Sequence, residues 1–509
     1  MQQRPSRFWV AGAVALTAGL AVVWSVRISS PWVALHDFNG AVWSQAAHNH
    51  LRAGLAQTRG VPAGFYFGPL PIPPDGYYVH HPPILPLLIT GMFALFGEHE
   101  WAARLVPIAG SLASVGLLWL LVRSCAGERA ATLSAAVLAL QPMTLSIGRM
   151  VNFEPCTLPW MLAALWCLRR WQRTGRPAWR AGVLACFLAG LWTSWHMSLF
   201  AAALAAWLLA ERRGRETRLA WEILLLTAFS AAMFLAWIRL ARPDAWADLG
   251  TAFRLRLSHR TEAQFTWGQW LVRQGEYLGG RITPLTWALG LVGAVGASKS
   301  GGREGVRWLY RAALVIFLMN AGYVTVFRNA SYIHDYSGFF FVAPLAMMGG
   351  LALEARVRWS LVGRAAAAAL LVGLAGWGWA GTQAVERMQF RVLDWNRPEP
   401  RDLIPTLGRA IRQAFPEETP VLCNFLPVYG PHLGYYAQRS LYNNLTTYAE
   451  WKPWIAHGGP NVGGVIWLGA PGAVALQEAL PDGTRNVIQI DGERFCLWKP
   501  ARQATGTSP

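Results

Sequence analysis

Residues 101–147 read WAARLVPIAGSLASVGLLWLLVRSCAGERAATLSAAVLALQPMTLSI, in which two apolar runs flank a short turn containing Arg123 and Arg129. The run Trp101–Val122 is long enough to cross the hydrocarbon core of a bilayer at about 1.5 Å of helix rise per residue. Short loops on the cytoplasmic side of a membrane retain Lys and Arg, so this turn is predicted to lie there. The stretch therefore predicts a transmembrane helical hairpin, and other parts of the chain repeat its pattern.

The composition extends this interpretation to the whole chain. Of the 509 residues, 54% are apolar and 14% are charged, against roughly 25% charged in ordinary soluble proteins. The mean hydropathy is +0.27. Several of the 28 Trp lie at the edges of apolar runs, where an amphipathic ring prefers the membrane interface. The composition excludes a soluble enzyme, a disordered tail and a scaffold held by disulfides.

The formal net charge of +18 is explained by topology. In a soluble protein it would indicate nucleic-acid binding. Here the Arg residues lie mostly in short turns between apolar runs, so we predict no nucleic-acid partner. The predicted cytoplasmic turns are Arg123–Arg129, Arg169–Arg180, Glu211–Arg218, Lys299–Arg307 and Glu354–Arg364.

With these turns on one side, the apolar runs predict about eleven transmembrane helices, a cytoplasmic N-terminus and an extracytoplasmic tail. The first run is interpreted as a retained helix, with a signal peptide as the alternative. The predicted spans are Phe8–Val26, Trp101–Val122, Ala130–Ile147, Pro155–Leu168, two within Ala181–Ala210, Leu219–Leu240, Pro284–Ala297, Trp308–Phe327, Tyr336–Leu353 and Val362–Ala380.

Two segments between the spans are predicted to lie at the membrane surface. Ile84–Phe96 is apolar but too short for a comfortable span, so we interpret it as a re-entrant or interfacial helix within the first outer loop, residues 29–100. The amphipathic segment Arg242–Arg281 is predicted to be interfacial. Its cationic side chains would face lipid phosphates; they are Arg254, Arg256, His259 and Arg260.

The tail differs in character from the rest of the chain, so we divide the protein into a membrane domain, residues 1–381, and an extracytoplasmic α/β domain, residues 382–509. Predicted strands alternate there with predicted helices. We interpret the tail as a structural or acceptor-docking domain. Cys423 and Cys496 could form one disulfide or remain two buried thiols. The predicted strands are Thr419–Phe425, Val462–Leu468 and Asn486–Ile490, and the predicted helices are Arg401–Ala414 and Gly472–Leu480.

The polar outliers of the membrane half gather on the extracytoplasmic face of this topology. Ionisable side chains at membrane depth are costly and usually functional. Structural alternatives exist: Arg149 could simply pair with Glu154, and His334 and Asp335 could orient one another. The candidate residues are Asp37, His80, His81, Arg104, Arg149, Glu154, Trp195, His196, Arg328, His334 and Asp335.

These residue types favour sugar transfer from a lipid-phosphate carrier. A carboxylate can act as general base on a hydroxyl acceptor, and a second one can orient the acceptor or hold a metal ion. Arg side chains suit a phosphate, whose developing charge they would stabilise as the leaving group departs. A cavity at the lipid boundary suits a polyprenyl tail.

Four stretches carry a resemblance to a known family. They are LHDFNGAVWSQAAHNHLRAG at residues 35–54, HHPPILPLL at 80–88, GEHEWAARLVPIAGS at 97–111 and GRMVNFEPCTLPWMLAAL at 148–165. In order and spacing they resemble bacterial members of the GT-C glycosyltransferase superfamily. More narrowly, they are similar to relatives of the protein O-mannosyltransferases (glycosyltransferase family 39) and of the aminoarabinose transferase of lipid A.

The resemblance implies roles for four of these residues. Asp37 matches the catalytic acidic residue, Arg104 the Arg linked with the donor phosphate, and Glu154 the acidic residue of the second outer turn. His81 takes the place before Pro-Pro. The sequence departs from the mannosyltransferases in having His36-Asp37 where they often have paired acidic residues, and in having no Lys after Pro83.

We therefore predict an α-helical membrane glycosyltransferase of GT-C type in the bacterial inner membrane. It would move a hexose or pentose from a polyprenyl-phosphate donor to a hydroxyl of a lipid, glycan or protein on the extracytoplasmic side. A divalent metal is left open. The alternatives are a transporter or flippase of a lipid-linked or anionic solute, and a pseudoenzyme that binds glycolipid. The expected roles are catalytic for Asp37 and Glu154, donor phosphate binding for Arg104, Arg149 and Arg328, and acceptor or metal binding for His81, His334 and Asp335.

Overall fold

The structure is a computed structural model that describes residues 7–212, 214–261, 264–299, 303–357, 361–389, 402–424, 430–458 and 461–501. The chain forms two compact units. One, called here the helical unit, comprises Met1–Ile28, Val79–Leu85 and Arg104–Glu386. The other, called the mixed unit, comprises Ser29–Tyr78, Pro86–Ala103 and Arg387–Pro509. The predicted division of the chain at residues 381 and 382 stays a prediction.

The helical unit contains most of the long apolar helices. They follow one another with short connections, as helices of a membrane bundle do. The helices are α1 (Arg7–Ser25), α5 (Glu100–Ala126, whose first turn belongs to the mixed unit), α6 (Glu128–Ala139), α7 (Pro142–Ile147), α8 (Phe153–Thr174), α9 (Pro177–Leu191), α10 (His196–Ala210), α11 (Gly214–Ala241), α12 (Ala245–Leu257), α13 (Trp267–Arg281), α14 (Pro284–Ser298), α15 (Glu304–Val326), α16 (Arg328–Ile333), α17 (Val342–Val357) and α18 (Leu361–Gln389).

Six helices of the described residues are long and apolar enough to cross a membrane. A seventh span results if α13 and α14, which meet at a bend of 89°, count as one broken span. The chain is a multi-pass membrane protein, and the number and direction of the spans remain predictions. Some predicted basic turns fall partly outside the described residues, at Arg213, 300–302 and 358–360.

The predicted span Ala130–Ile147 differs from the structure, where it is divided between α6 and α7. Pro142 is the first residue of α7, and Gln141 before it has extended backbone angles. The pyrrolidine ring disfavours helical geometry in the preceding residue, so the helix cannot run through this point.

Small residues bring the central helices of this unit together. A methyl group on Gly293 of α14 would overlap the carbonyl of Met348 in α17, and one on Gly350 of α17 would overlap Ser134 in α6. Glycine at these positions lets the backbones approach closely, which is how helices associate where lipid supplies no hydrophobic driving force. These close approaches place α17 between α6 and α14, and most of α17 is buried.

The mixed unit combines helices of the first outer loop with the C-terminal sheet. Its helices are α2 (Asp37–Ala53), α3 (Leu55–Thr58), α4 (Ile84–Phe96, which begins in the helical unit), α19 (Leu403–Ala414), α20 (Gly430–Ala437), α21 (Tyr448–Gly458) and α22 (Ala473–Ala479). Its strands are β1 (Val421–Cys423), β2 (Leu441–Tyr442), β3 (Gly463–Trp467), β4 (Gly483–Ile490) and β5 (Glu493–Pro500).

The five strands form one sheet in the order β2-β1-β3-β5-β4. The pairs of β1 with β2 and with β3 are parallel, while β5 pairs antiparallel with β3 and β4. The predicted α/β fold of the tail is confirmed, including its three predicted strands and two predicted helices, although Phe425 and Arg401 lie outside the described residues. The short strand β2, the last strand β5 and the helices α20 and α21 were not predicted.

The two cysteines of the sheet remain thiols in the described structure, and both are buried. Cys423 is paired with Val465 of β3, and Cys496 of β5 is paired with Ile466 of the same strand. The strands that carry them lie on opposite sides of β3, so they are two strand spacings, or about 10 Å, apart. Two cysteines whose Cα atoms are more than about 7 Å apart cannot form a disulfide.

Candidate functional site

Glu154 lies in the helical unit at the start of α8. A turn ends at the N-cap Asn152, and the carboxylate lies in the first helical turn, where the helix dipole favours negative charge. The residue is only 6% exposed. Its Oε2 has no hydrogen-bond partner among the described residues. A buried carboxylate oxygen of this kind indicates a place for a ligand donor.

The sequence left open that Arg149 pairs with Glu154. In the structure Arg149 contacts two other residues. Its guanidinium donates to the Val26 carbonyl at 2.8 Å and lies 3.2 Å from Oε1 of Glu386. Arg104 likewise donates to the Ile28 carbonyl at 2.8 Å and is 5% exposed. Both Arg residues therefore hold the chain that leaves α1.

His81 is packed against the residue before Glu154. The ring centroids of His81 and Phe153 are 4.6 Å apart. Burial lowers the pKa of His81 to about 3, and the charges of Arg256, His80, His196 and His334 act in the same direction. The imidazole is therefore neutral at neutral pH, and four cationic or titratable side chains lie close enough to influence it.

His80 is held by the start of α12 and by Trp195, the residue before α10. Its Nε2 lies 3.0 Å from Oδ2 of Asp248, which also accepts from Arg242 at 2.8 Å. Its backbone carbonyl accepts from the Trp195 indole at 2.8 Å. Burial lowers the pKa of His80, although Asp248 opposes this. These contacts fix the start of the HHPP segment.

His196 and Tyr323 form the other side of this region. Their ring centroids are 4.2 Å apart. The Nδ1 of His196 bonds to the Ser194 hydroxyl at 2.9 Å, while its Nε2 is buried with no partner among the described residues. Tyr323 lies within electrostatic range of Glu154 and Arg256. Tyr323 therefore packs against His196 on the same side of the region as Glu154.

The predicted cationic residues after α15 contact the segment that was predicted to be interfacial. Arg256 lies 3.3 Å from the Asn329 side chain and 3.5 Å from Nε2 of His334. Arg328 donates to the Leu257 carbonyl at 2.9 Å and lies 4.9 Å over the Trp267 ring. Its Nε is buried and has no hydrogen-bond partner in the described part of the chain.

Asp335 is occupied by a salt bridge. Arg281 at the end of α13 pairs with it, and the two side chains are 7% and 8% exposed. Burial of such a pair is tolerated because each charge has its partner. The neighbouring His334 stacks on Tyr336 with ring centroids 4.9 Å apart. Asp335 thus holds the end of α13 through this ion pair.

We call His81, Glu154, His196, Arg256, Tyr323 and His334 the polar cluster. The structure joins the candidates His81, Glu154, His196 and His334 here. It adds Tyr323 and Arg256, which had no site role in the sequence-based prediction. Tyr323 is a phenol within a predicted span, a signal that could have identified it. Arg256 was predicted only to face lipid phosphates from the interfacial segment, as one of four cationic side chains there. Within the described ranges, no group of three or more His, Cys, Asp or Glu is arranged to hold a metal ion.

Asp37 belongs to the mixed unit, where it begins α2. Its Oδ2 accepts from the backbone N–H groups of Val33 and Ala34 at 3.2 and 3.0 Å. Two N–H donors on one oxygen hold the carboxylate in a defined orientation. A carboxylate held in this way can serve as a general base.

An apolar groove of about 800 Å³ runs along α10 and α15. One end is closed by the ion pair of Glu211 and Arg311, and the other end is lined by Tyr323 and Phe327. From Arg311 to Val326 the helix rises about 22 Å, most of the hydrocarbon thickness of a bilayer. The groove therefore offers a long apolar channel that ends at the polar cluster.

Sequence comparisons match the part of the chain that holds much of the cluster. The family described as dolichyl-phosphate-mannose-protein mannosyltransferase matches residues 80–238. The candidate mannosyltransferase YycA of Bacillus subtilis strain 168 is 28% identical over 141 residues, which are 27% of this chain and 20% of YycA. The match thus spans about a fifth of that relative's length.

Solved structures resemble nearly the whole chain. ArnT from Cupriavidus metallidurans, bound to undecaprenyl phosphate, has a TM-score of 0.64 at 14% identity, covering 97% of this chain and 99% of ArnT. The oligosaccharyltransferase of Archaeoglobus fulgidus has a TM-score of 0.56 at 13% identity, covering 90% of this chain and 69% of that protein. The predicted fold, a GT-C type helical membrane protein with a small C-terminal α/β sheet, is confirmed.

Proposed function

We propose that this protein, which has the GT-C fold, is a membrane glycosyltransferase that takes its sugar from a polyprenyl-phosphate donor. The groove along α10 and α15 is the observation that carries the proposal, because it pairs an apolar channel of membrane length with a buried polar end. A lipid-linked sugar has the same two parts. The undecaprenyl phosphate bound to ArnT is a ligand of this chemistry.

The polar cluster supplies groups for the head of such a donor. Arg256 lies 3.5 Å from His334, and Arg328 directly follows Phe327, which lines the end of the groove. A guanidinium binds a phosphate through paired hydrogen bonds. Glu154 and His196 offer one acceptor and one ring nitrogen without partners in the described structure, which suits a sugar hydroxyl. Arg104 and Arg149 keep their predicted phosphate role as a proposal.

The proposed reaction is a displacement at the anomeric carbon of the donor. Asp37 accepts the proton of the acceptor hydroxyl, and the acceptor oxygen bonds to the anomeric carbon. The bond from that carbon to the phosphate oxygen breaks, and polyprenyl phosphate leaves with the electron pair. Arg side chains stabilise its developing charge.

The acceptor is a hydroxyl of a lipid, a glycan or a protein, and the sugar is a hexose or a pentose. We place the reaction on the extracytoplasmic side of a bacterial inner membrane, in keeping with the charge distribution of the turns. His81, His334 and Asp335 remain the proposed acceptor-binding residues, and the salt bridge to Arg281 fixes the position of the Asp335 carboxylate.

The test is donor consumption by the purified protein in liposomes, with radiolabelled polyprenyl phosphates that carry mannose, glucose or aminoarabinose. We expect one of them to be consumed with release of polyprenyl phosphate. A transporter would move donor between leaflets without consuming it, and a pseudoenzyme would bind without either effect. Both outcomes would overturn the assignment.

Blocking the groove tests the observation itself. Gly322 lines the groove, and a Cβ there would meet no atom within 4 Å, so Gly322→Leu should narrow the groove without displacing the helix backbone. We expect the KM for the long-chain donor to rise about tenfold or more, with little change for a short-chain donor, because about 1.4 kcal/mol of lost binding is a factor of ten. Gly296→Leu in α14, equally open and outside the groove, is the matched control.

A further inference from the structure

Helix α20, in the C-terminal part of the chain, holds the loop that carries Asp37. The hydroxyl of Tyr436 accepts a hydrogen bond from the Trp32 backbone N–H at 2.7 Å and donates one to Oε1 of Glu100 at 2.7 Å. The hydroxyl is therefore used both as an acceptor and as a donor. It fixes the beginning of the loop that leads to Asp37. All these residues belong to the mixed unit.

His432 fixes the same loop at its middle. Its Nε2 lies 3.0 Å from the carbonyl oxygen of Ala34, and the residue is fully buried. A carbonyl can only accept, so Nε2 carries the hydrogen and donates. The same oxygen accepts from the backbone N–H of Asp37 at 2.9 Å.

Ala34 connects this contact to the carboxylate. Its carbonyl accepts from His432, while its own N–H donates to Oδ2 of Asp37 at 3.0 Å. A rotation of Ala34 would break both bonds at once. The orientation of the Asp37 carboxylate is thus coupled, through one residue, to a histidine 398 positions further along the chain than Ala34.

Further contacts show that α20 and α2 are built to stay together. Gln438, just after α20, donates to Oε1 of Gln45 at 2.9 Å, and both side chains are buried. The Trp32 ring lies so close to Gly40 of α2 that a methyl group there would overlap it. The loop is therefore enclosed between two helices that cannot shift independently.

We propose that His432 and Tyr436 are positioning residues for the Asp37 carboxylate, so that the C-terminal part of the chain orients the general base of the transfer reaction. The proposal rests on the proposed function. It assigns the tail a role in catalysis that neither a docking domain nor a structural domain would have. The expected signature is a loss of kcat with little change in the donor KM, because the base acts in the chemical step.

Three substitutions test it. Tyr436→Phe removes the hydroxyl that joins Trp32 to Glu100, and His432→Leu removes the donor to Ala34 with little change in volume. His432→Gln keeps an N–H donor and should recover part of the loss. We expect kcat to fall about 10- to 100-fold for the first two, the range that misplacement of a reacting group produces. Tyr442→Phe and His457→Gln, at exposed positions of the same unit, are the matched controls.

Hydrogen–deuterium exchange supplies a readout that does not depend on activity. The backbone amides of Trp32, Val33 and Ala34 should exchange faster in Tyr436→Phe and His432→Leu than in the native protein and the two controls. Exchange at a distant amide segment, such as α17, should not change. If only the melting temperature falls, with kcat and loop exchange as in the native protein, the positioning role is overturned.

The two proposals fail in different ways. If the native protein consumes no polyprenyl-phosphate sugar, the proposed function falls, while faster exchange of the loop in the variants still supports the coupling of α20 to Asp37. If the native protein is active and Tyr436→Phe and His432→Leu match it in kcat and in exchange, the coupling is wrong and the proposed function stands.

Discussion

Two carboxylates with proposed catalytic roles are held in opposite ways. Asp37 in the mixed unit receives two backbone N–H donors on one oxygen and is only partly buried. Glu154 in the helical unit is 6% exposed and keeps Oε2 without a partner among the described residues. The first carboxylate is oriented by backbone donors before a substrate binds, whereas the second keeps one oxygen that can accept a hydrogen bond from a ligand. The difference separates an oriented base from a binding group.

A third carboxylate, Asp335, extends the comparison, since it is paired with Arg281 inside the protein. One carboxylate is thus oriented by backbone donors, one keeps a single oxygen without a partner among the described residues, and one is paired with an arginine. Each arrangement predicts a different response when the charge is removed. The four substitutions below are arranged from the largest expected effect to the smallest.

Asp37→Asn should have the largest effect. The amide cannot accept the acceptor proton, so transfer should fall about a thousandfold or more, since general-base contributions run from about 10² to 10⁴. Expression and melting temperature in detergent should stay close to those of the native protein. The measurement is radiolabelled sugar transfer in liposomes. Full activity of this variant would contradict the assignment of Asp37 as general base.

Asp335→Asn should mainly affect stability. Removal of one partner from a buried ion pair costs about 3–5 kcal/mol, because the other charge remains buried and unpaired. Thermal unfolding in detergent should show the loss, and the double variant Arg281→Met with Asp335→Leu should regain most of it. A stable Asp335→Asn protein without transfer activity would instead support the predicted acceptor-binding role.

Glu154→Gln should lower transfer without lowering stability. Glutamine is close to glutamic acid in size and stays uncharged in a buried site, so the melting temperature should hold or rise. Loss of the acceptor for a substrate hydroxyl should reduce kcat/KM by about 10- to 100-fold, or roughly 1.4–2.7 kcal/mol. Glu478→Gln, at an exposed position, is the control. A marked drop in melting temperature would show that Glu154 is a structural residue.

His81 should produce a smaller, pH-dependent effect. Its pKa is about 3 in the folded protein, against 6.5 ordinarily. Above pH 6.5 the His81 imidazole is neutral in both the folded and the unfolded chain, so it adds no pH dependence to the free energy of unfolding. Below it the unfolded chain binds a proton that the folded one does not, so stability falls by at most about 1.4 kcal/mol per pH unit. His81→Gln should therefore flatten the decline in melting temperature from pH 6.5 to 5. Equal slopes for both proteins would refute this.

Sequence patterns were sufficient for most elements of the fold. Apolar runs between Arg-rich turns predicted helices at the positions of α1, α5, α11, α15 and α18, because helix length and apolarity are local properties. Alternation of strands and helices in the tail predicted the sheet in the same way. The break at Pro142 was missed, although proline signals such breaks.

The candidate residues were found, but their partners were not. The sequence singled out Asp335, His80 and Asp37 without indicating that they contact Arg281, α12 at Asp248 or the backbone at Val33 and Ala34. The first two of these contacts join positions 54 and 168 residues apart along the chain. Periodicity and composition describe neighbours within a helix or strand, so they carry no information on such pairs.

The sequence alone establishes that this is a membrane protein with a helical fold and a small sheet. It also identifies the ionisable residues whose burial in a membrane costs free energy and usually indicates function. The folded chain adds which of those residues form ion pairs, which keep an atom without a partner in the described part of the protein, and which are oriented by residues distant in the sequence. Ala34 and His432 illustrate the reason: their hydrogen bond joins positions 398 residues apart, and such a contact exists only after the chain has closed on itself.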